Sequence, residues 1–397
     1  MEHLIQKIPF NLSYKQIYFA QVKLYNFRVK MKFMITKLVE LIVPPRFVPK
    51  IQLFYLFFRF KIDILSTNRY LKKYWFKLKD AYIPVENVIE LIPPKSELYI
   101  YNPTIIKENE QDFVFFARVT NKSYMPKTDF LERSIAREKN EIPVDAVARF
   151  LVNDQFDVFD FEYVIPLSST PHFQDPKGFV SGDKQYLFGN YVLKYPNNQN
   201  RQFVCKVAFY DIKSKRLEVF ESPLHKNIEK NWIPFKIEGD NLYMIYECKP
   251  YATLNYNLVT KDMKYDLREN SADLNYHGGS PFVKIGLDEY LRIVRYKFRF
   301  PKLGLVTLSY AMIHDEKLNI IFTSSPFIFK KFGFEICHGL ALMNNELIFT
   351  WGEDDFKMFM GSISLDKFIN WIYSDKTKEV LSSNFSVFKL GENQDKS

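Results

Sequence analysis

The chain has 397 residues, 47% of them hydrophobic, and its 39 Phe and 25 Tyr against only 13 Gly support a globular core built largely of strands. Three cysteines, Cys205, Cys248 and Cys337, are odd in number and widely spaced. That excludes a disulfide framework and a CxxC zinc site and points to a reducing compartment. The net charge of +9 is uneven: residues 1 to 80 carry 12 Lys and 4 Arg against 2 Glu and 2 Asp, a balance of +12 that leaves −3 for the rest. Nucleic-acid binding by the remainder therefore has little support.

Taken in order, residues 1–95 read as a basic, aromatic-rich extension. Phe33 to Val43 has helical spacing and stops at Pro44-Pro45. Asn68 to Leu78 predicts a second helix, with Arg69, Lys72, Lys73 and Lys77 beside Tyr74, Trp75 and Phe76, and the run from Ile51 to Phe60 between them is strongly apolar. No window reaches about 18 uncharged apolar residues, so a transmembrane helix is not expected. No secretory leader is expected either. Cations mixed with large apolar groups suit the surface of an anionic membrane, so peripheral contact through residues 1–80 of a cytoplasmic protein is expected; the alternative is packing on the following domain with lysines outward.

From about residue 96 to 375 a strand, turn, strand pattern recurs five times, each copy opening on small polar residues and mostly a Pro. Asn102-Pro103-Thr104-Ile105-Ile106 leads to Phe113 to Arg118, and Asp175-Pro176-Lys177-Gly178-Phe179 leads through Ser181-Gly182-Asp183 to Tyr186-Leu187-Phe188. Glu229 to Phe235 is followed by Asn241 to Tyr246, Gly279-Ser280-Pro281-Phe282-Val283 by Tyr290 to Arg295, and His338 to Leu342 by Glu346 to Trp351. Copies roughly 50 to 75 residues apart match four-stranded blades, so the fold expected is all-β, a five-bladed β-propeller after a partly helical extension. An irregular pair of β-sandwiches is the alternative. Val144 to Phe150 and Asp157 to Glu162 read as outer strands of the first blade, Lys127 to Asn140 as a charged loop with room for a short helix, Pro196 to Asn200 as a turn, and 376–397 as a polar tail.

In a propeller the first strand of each blade lines the axis. The copies would then bring Asn102, Asp175, Lys230, Asn231, Ser280 and His338 into one funnel. Asp175, expected to be extended because it precedes Pro176, would face a partly enclosed cavity that raises its pKa and suits a general acid. Asp355, in Trp351-Gly352-Glu353-Asp354-Asp355, would reach the same mouth, and two carboxylates around a sugar suit glycosidic chemistry. Lys177, Lys230, Arg118 and Arg295 fall near these ends and fit a phosphate or diphosphate. P-loop, dinucleotide-binding, HExxH and GxSxG signatures are missing, and neither a metal nor a cofactor is expected. Asp160-Phe161-Glu162 is read as a solvated strand face.

In their order, Asp175-Pro176-Lys177, Glu229 to Phe235, His277-Gly278-Gly279-Ser280-Pro281 and Cys337-His338-Gly339-Leu340 with Trp351 to Asp355 resemble the motifs of the five-bladed mannoside phosphorylases and mannosyltransferases of glycoside hydrolase family 130. The resemblance spans residues 98–366. It implies that Asp175 is the general acid, that Lys230 binds phosphate and that Asp355 contacts sugar, with Asn231, Trp232 and Asp354 in the matching substrate-binding stretches. Two positions depart from the family pattern: Lys177 stands where Arg is usual and Gln174 where Glu is common, and Lys lacks the bidentate fork of Arg. The function expected is transfer of a glycosyl unit, mannosyl first, between a sugar phosphate or nucleotide sugar and a glycan acceptor, as a glycosyltransferase or phosphorylase in surface-glycan synthesis. A non-catalytic glycan-binding propeller, with Trp232 and Trp351 stacking on sugars, is the alternative.

Overall fold

The computed structural model describes residues 82–93, 98–108, 113–121, 144–153, 157–168, 171–194, 203–248, 251–268, 276–300, 304–331 and 333–374. The helices expected at 33–43 and 68–78, the apolar run at 51–60, the loop at 127–140, the turn at 196–200 and the tail after 376 lie outside these residues. No described helix is long and apolar enough to cross a membrane.

Strands β1 (Glu86–Leu91) to β5 come first in the chain: β2 (Tyr99–Lys107), β3 (Phe113–Thr120), β4 (Asp145–Val152) and β5 (Val158–Ser168) form one antiparallel sheet. The second sheet is β6 (His172–Ser181), β7 (Lys184–Lys194), β8 (Val204–Asp211) and β9 (Arg216–Val219). β10 (Ile233–Glu238), β11 (Asn241–Cys248), β12 (Tyr251–Asn257) and β13 (Met263–Leu267) make the third. In the fourth, a broken inner strand, β14 (Tyr276–His277) and β15 (Val283–Lys284), pairs with β16 (Tyr290–Phe300), which continues to β17 (Gly304–His314) and β18 (Ile320–Thr323). The fifth contains β19 (Glu335–Met343), β20 (Glu346–Glu353) and β21 (Lys357–Ser364), with β1 as its outermost strand. Helix α1 (Leu365–Tyr373) follows, capped by the Ser364 hydroxyl on the Lys367 amide. This is the expected five-bladed β-propeller.

The five repeated hairpins are the inner strands of the five blades. Their turns show why the sequence forms them. Gly182 and Gly239 sit at positive φ in two-residue loops, and Asn344 and Asn345 both adopt left-handed φ between Met343 and Glu346. Burial separates inner from outer strands. β2, β3, β19 and β20 are almost wholly buried, whereas β5, β9 and β13 alternate or face solvent. On β5, Asp160 pairs with Arg149 at 2.9 Å, the solvated arrangement expected for that stretch.

Apolar layers fill the space between blades. Phe188, Phe209, Phe220 and Trp232 stack into one layer between the second and third blades, with Phe220 to Trp232 centroids 5.7 Å apart. Each such ring removes about 150–250 Å² from water, which at about 25 cal/mol per Å² contributes roughly 4–6 kcal/mol before the entropy cost of ordering. Polar ties add register between blades. The Thr350 hydroxyl donates to the Pro103 carbonyl at 2.6 Å, and the Gly178 amide donates to Thr104 Oγ1 at 2.9 Å.

β1 falls within the stretch that the sequence assigns to the extension. It pairs antiparallel with β21 from Glu86 opposite Ser362 to Leu91 opposite Met358, so strands from both ends of the propeller share one blade. Lys357 clasps Glu90 at 2.8 Å and Lys367 pairs with Glu86 across the same seam.

Candidate active site

The inner strands of the first, second and fifth blades break their register at the polar residues, and that of the third slips just after them. The ladder slips between Tyr101 and Thr104, between Gln174 and Lys177, between Pro234 and Lys236, and between Cys337 and Gly339. Such bulges re-aim side chains. Asn102, Asp175, Asn231 and Asp355 all have φ between 52° and 66°, in the left-handed region. For Asp175 this corrects the extended backbone expected from Pro176, since the bulge overrides the local preference. Backbone cost of this kind concentrates where side chains must be aimed.

Asn102 organises the centre. It is buried, and its amide nitrogen donates to Asp175 Oδ1 at 3.0 Å and to Asp355 Oδ1 at 3.4 Å, so the two carboxylates approach within the sum of those distances. Gly352 makes room for it: a Cβ there would collide with Asn102 Oδ1. Asn190 Nδ2 donates to Asp175 Oδ2 at 3.1 Å, and its Oδ1 accepts the Asn231 backbone amide at 3.2 Å. Arg118 reaches Asp175 at 3.4 Å but is gripped more tightly by Asp145 at 2.5 Å, with its guanidinium 5.3 Å from the Tyr101 ring centre. Asp145 is held in turn by His172 at 2.9 Å and Gln174 at 3.0 Å. Arg118, expected to hold phosphate, is thus committed to two carboxylates and orients Asp175.

The two central carboxylates differ in charge. Burial works to raise the Asp175 pKa, yet Arg118, His338, the Asn102 hydrogen bond and Lys177 outweigh it and hold the group well below the usual carboxylate range. The expected elevation of Asp175 is therefore reversed. Asp355 is the elevated one: burial and the neighbouring Asp175 charge push it up to about 6 against Arg118, Asn102 and Arg295. Two carboxylates held apart in this way can supply an acid and a base.

Beside them lies positive charge in excess. Lys177 is buried and has no hydrogen-bond or ion-pair partner among the described residues; burial, opposed by Asp175 and reinforced by Arg295, brings its pKa down to about 8. Arg295 is 6% exposed, with Nε unpartnered, and burial lowers its pKa despite Asp175 and Asp355. His338 is 2% exposed, with neither ring nitrogen partnered, and burial drives its pKa well below the usual value.

Other expected residues lie differently. Lys230 is exposed, its ammonium 4.7 Å from the Phe203 ring centre, at a cavity of about 200 Å³ that it lines with Asn231, His277 and Gly278. Trp232 is 1% exposed in the interblade core, its indole N–H donating to Glu229 at 3.3 Å, so it offers no face to a sugar. Ser280 is fully buried, and its hydroxyl donates to the Pro281 carbonyl at 2.8 Å while accepting the Ile293 amide at 2.9 Å. Asp354 pairs with Lys331 at 2.5 Å rather than joining the centre. Asn190, Asp145 and Lys297 are additions that the sequence reading missed. Lys297 alternates with Arg295 on β16, a period-two signal that was available.

No family model matches the sequence, and no curated protein matches it. Among solved structures, the GDP-Man-dependent mannosyltransferase MPT-1 from Leishmania mexicana is 11% identical over 70% of this chain and 89% of its own, with a TM-score of 0.50. MPT-4, a mannose phosphorylase from the same organism in complex with phosphate ion, is 11% identical over 77% of this chain and 96% of its own, with a TM-score of 0.49. The β-1,2-mannobiose phosphorylase of Listeria innocua is 12% identical, covering 72% and 99%, with a TM-score of 0.48. At such identities the likeness is one of fold.

Proposed function

We propose that the chain is a carbohydrate-active enzyme that transfers a glycosyl unit, mannosyl first, between a phosphate-bearing donor and a sugar acceptor. One observation carries this reading: two carboxylates of opposite protonation tendency share the Asn102 amide beside cations that lack anionic partners. An apposed carboxylate pair supplies proton transfer at a glycosidic oxygen. Buried like charges favour an anion that offsets their repulsion, which suits phosphate. Lys177 and Arg295 are the cations nearest this role, Asp355 and His338 meet sugar hydroxyls, and Asp175 handles the proton. Being charged at rest, Asp175 fits a base that receives the acceptor hydroxyl's proton in synthesis; by microscopic reversibility it returns that proton to the leaving oxygen in cleavage.

The glycan-binding alternative loses support because Trp232 and Trp351 are 1% and 0% exposed. The test is turnover of the purified chain on a panel of sugar 1-phosphates and nucleotide sugars, mannose forms included, with and without sugar acceptors. Asp175→Asn should lower the rate at least about 100-fold. Unchanged turnover in that variant, or no turnover by the wild type on any donor, overturns the proposal.

A further inference from the structure

The Asp355 side chain does little to hold itself beside Asp175. Among the described residues its carboxyl makes one hydrogen bond, to Asn102 at 3.4 Å, a length at which the bond is weak against the repulsion of the Asp175 charge. Its position is set instead by the turn between β20 and β21. There Asp354 and Asp355 both hold left-handed φ, 56° and 52°, and the Phe356 amide donates to the Glu353 carbonyl at 3.0 Å. Residues 329–331 and 333–335, leading into β19, grip this turn from outside. Phe329 stacks on Trp351 of β20 with ring centres 4.9 Å apart, and the Lys330 ammonium lies 3.7 Å from the Phe359 ring centre on β21, so both strands that flank the turn are engaged. The Asp354 amide donates to the Phe334 carbonyl at 2.8 Å, and Lys331 pairs with Asp354 at 2.5 Å and with Glu353. Glu353 is 7% exposed, and its second oxygen has no hydrogen-bond partner among the described residues, so Lys331 supplies the charge that offsets it. Lys331 is itself fixed from behind. The buried Glu335 carboxyl accepts the backbone amides of Phe329, Lys330 and Lys331 at 3.0, 3.0 and 2.9 Å. Thr307 on β17 ties Glu335 down, its hydroxyl donating to the Glu335 carbonyl at 2.5 Å and accepting the Glu335 amide at 2.8 Å. Three amides on one carboxyl preset the backbone from which Lys331 reaches, which lowers the entropy cost of holding its ammonium in place.

We infer that Lys331 is a positioning residue: it pins the Glu353 and Asp354 side of the turn and so keeps the Asp355 carboxyl beside Asp175 in spite of their repulsion, in the geometry that the transfer needs. The inference rests on the glycosyl-transfer reading and adds to its site a residue that acts only through the turn.

Double-mutant cycles on the full chain test this. Lys331→Met, which keeps the stem and removes the ammonium, should lower kcat/KM at least about tenfold in the wild-type background and less than about twofold where Asp355 is already Asn. Lys331→Arg should restore most of the activity. Melting at pH 8 gives a reading that needs no substrate. There Asp355→Asn removes a charge that repels Asp175 and should raise the melting temperature; once Lys331→Met has released the turn, the carboxyl is free to move away, and that rise should shrink by at least half. If Lys331→Met does not fold, Asp354→Asn, which keeps a residue tolerant of left-handed φ, carries the same two comparisons with smaller effects. Losses of equal size with and without the Asp355 carboxyl, in both turnover and melting, make Lys331 an ordinary structural ion pair and overturn the inference while leaving the glycosyl-transfer reading intact. No turnover by the wild type on any donor overturns that reading, and the melting comparison alone then decides whether Lys331 places Asp355.

Discussion

Replacing Asp355 by Asn should make the protein more stable and less active, and the stability gain should depend on pH. The Asp355 carboxyl titrates at about 6 in the folded chain, against an ordinary value of 3.8. Below pH 4 the group is protonated folded or unfolded, so the amide gains nothing. Between about 4 and 6 the unfolded carboxyl ionises while the folded one holds its proton. The native state then binds more protons, and stability falls as pH rises through that window. Above 6 the full penalty is present. A shift of about two units corresponds to about 3 kcal/mol; because the side chain is half-buried, we discount this for solvent screening to about 1–2 kcal/mol. At roughly 2 °C per kcal/mol for a domain of this size, Asp355→Asn should melt about 2–4 °C above wild type at pH 8 and level with it at pH 4. Thermal unfolding at both pH values is the assay. A gain of the same size at pH 4, or a loss at pH 8, would show that Asp355 is not an elevated carboxyl and would remove the acid and base asymmetry.

Gly352→Ala would drive a methyl into Asn102 Oδ1; overpacking of this kind costs about 1–3 kcal/mol. Activity should fall much further than stability, which a comparison of kcat with the melting curve will check. Ser280→Ala leaves the Ile293 amide without its side-chain acceptor, so it should cost about 1–3 kcal/mol of stability in a denaturant titration while KM stays within about twofold.

The inner hairpins were legible because the constraints that make them are local: a positive-φ turn, an aromatic and β-branched return strand and a polar opening, five times over. β1 carries none of these. It is a short strand with charged residues toward solvent, and only its pairing with β21 gives it a place. The same contrast runs through the site. Asn102, Asp175 and His338 were singled out because the repeat put them at equivalent openings, and Asp355 because it follows the second strand of the last copy. The charge of Asp175 was misjudged because it depends on Arg118, His338 and the Asn102 hydrogen bond, which other strands bring to it, and no local signal announces that approach. Trp232 was read as a sugar platform from its place in the motif, but it packs in the interblade core at 1% exposure while its neighbour Asn231 lines the cavity. Ser280 fits the pattern in sequence, but its hydroxyl repairs the broken strand of the fourth blade.

The shared blade of β1 and β21 also governs when the protein comes alive. Synthesis delivers Asn102 and Asp175 early, in the first two blades, and Asp355 almost last, in the turn before β21. A nascent chain can stack its early blades as it emerges, yet the amide that joins the two carboxylates has only one of them to hold until the final hairpin docks. Ring closure and assembly of the chemistry are therefore a single late event. A chain stalled or clipped before residue 355 lacks the second carboxylate and also β21, which joins β1 to the fifth blade, so truncated products are expected to neither close the ring nor turn substrate over.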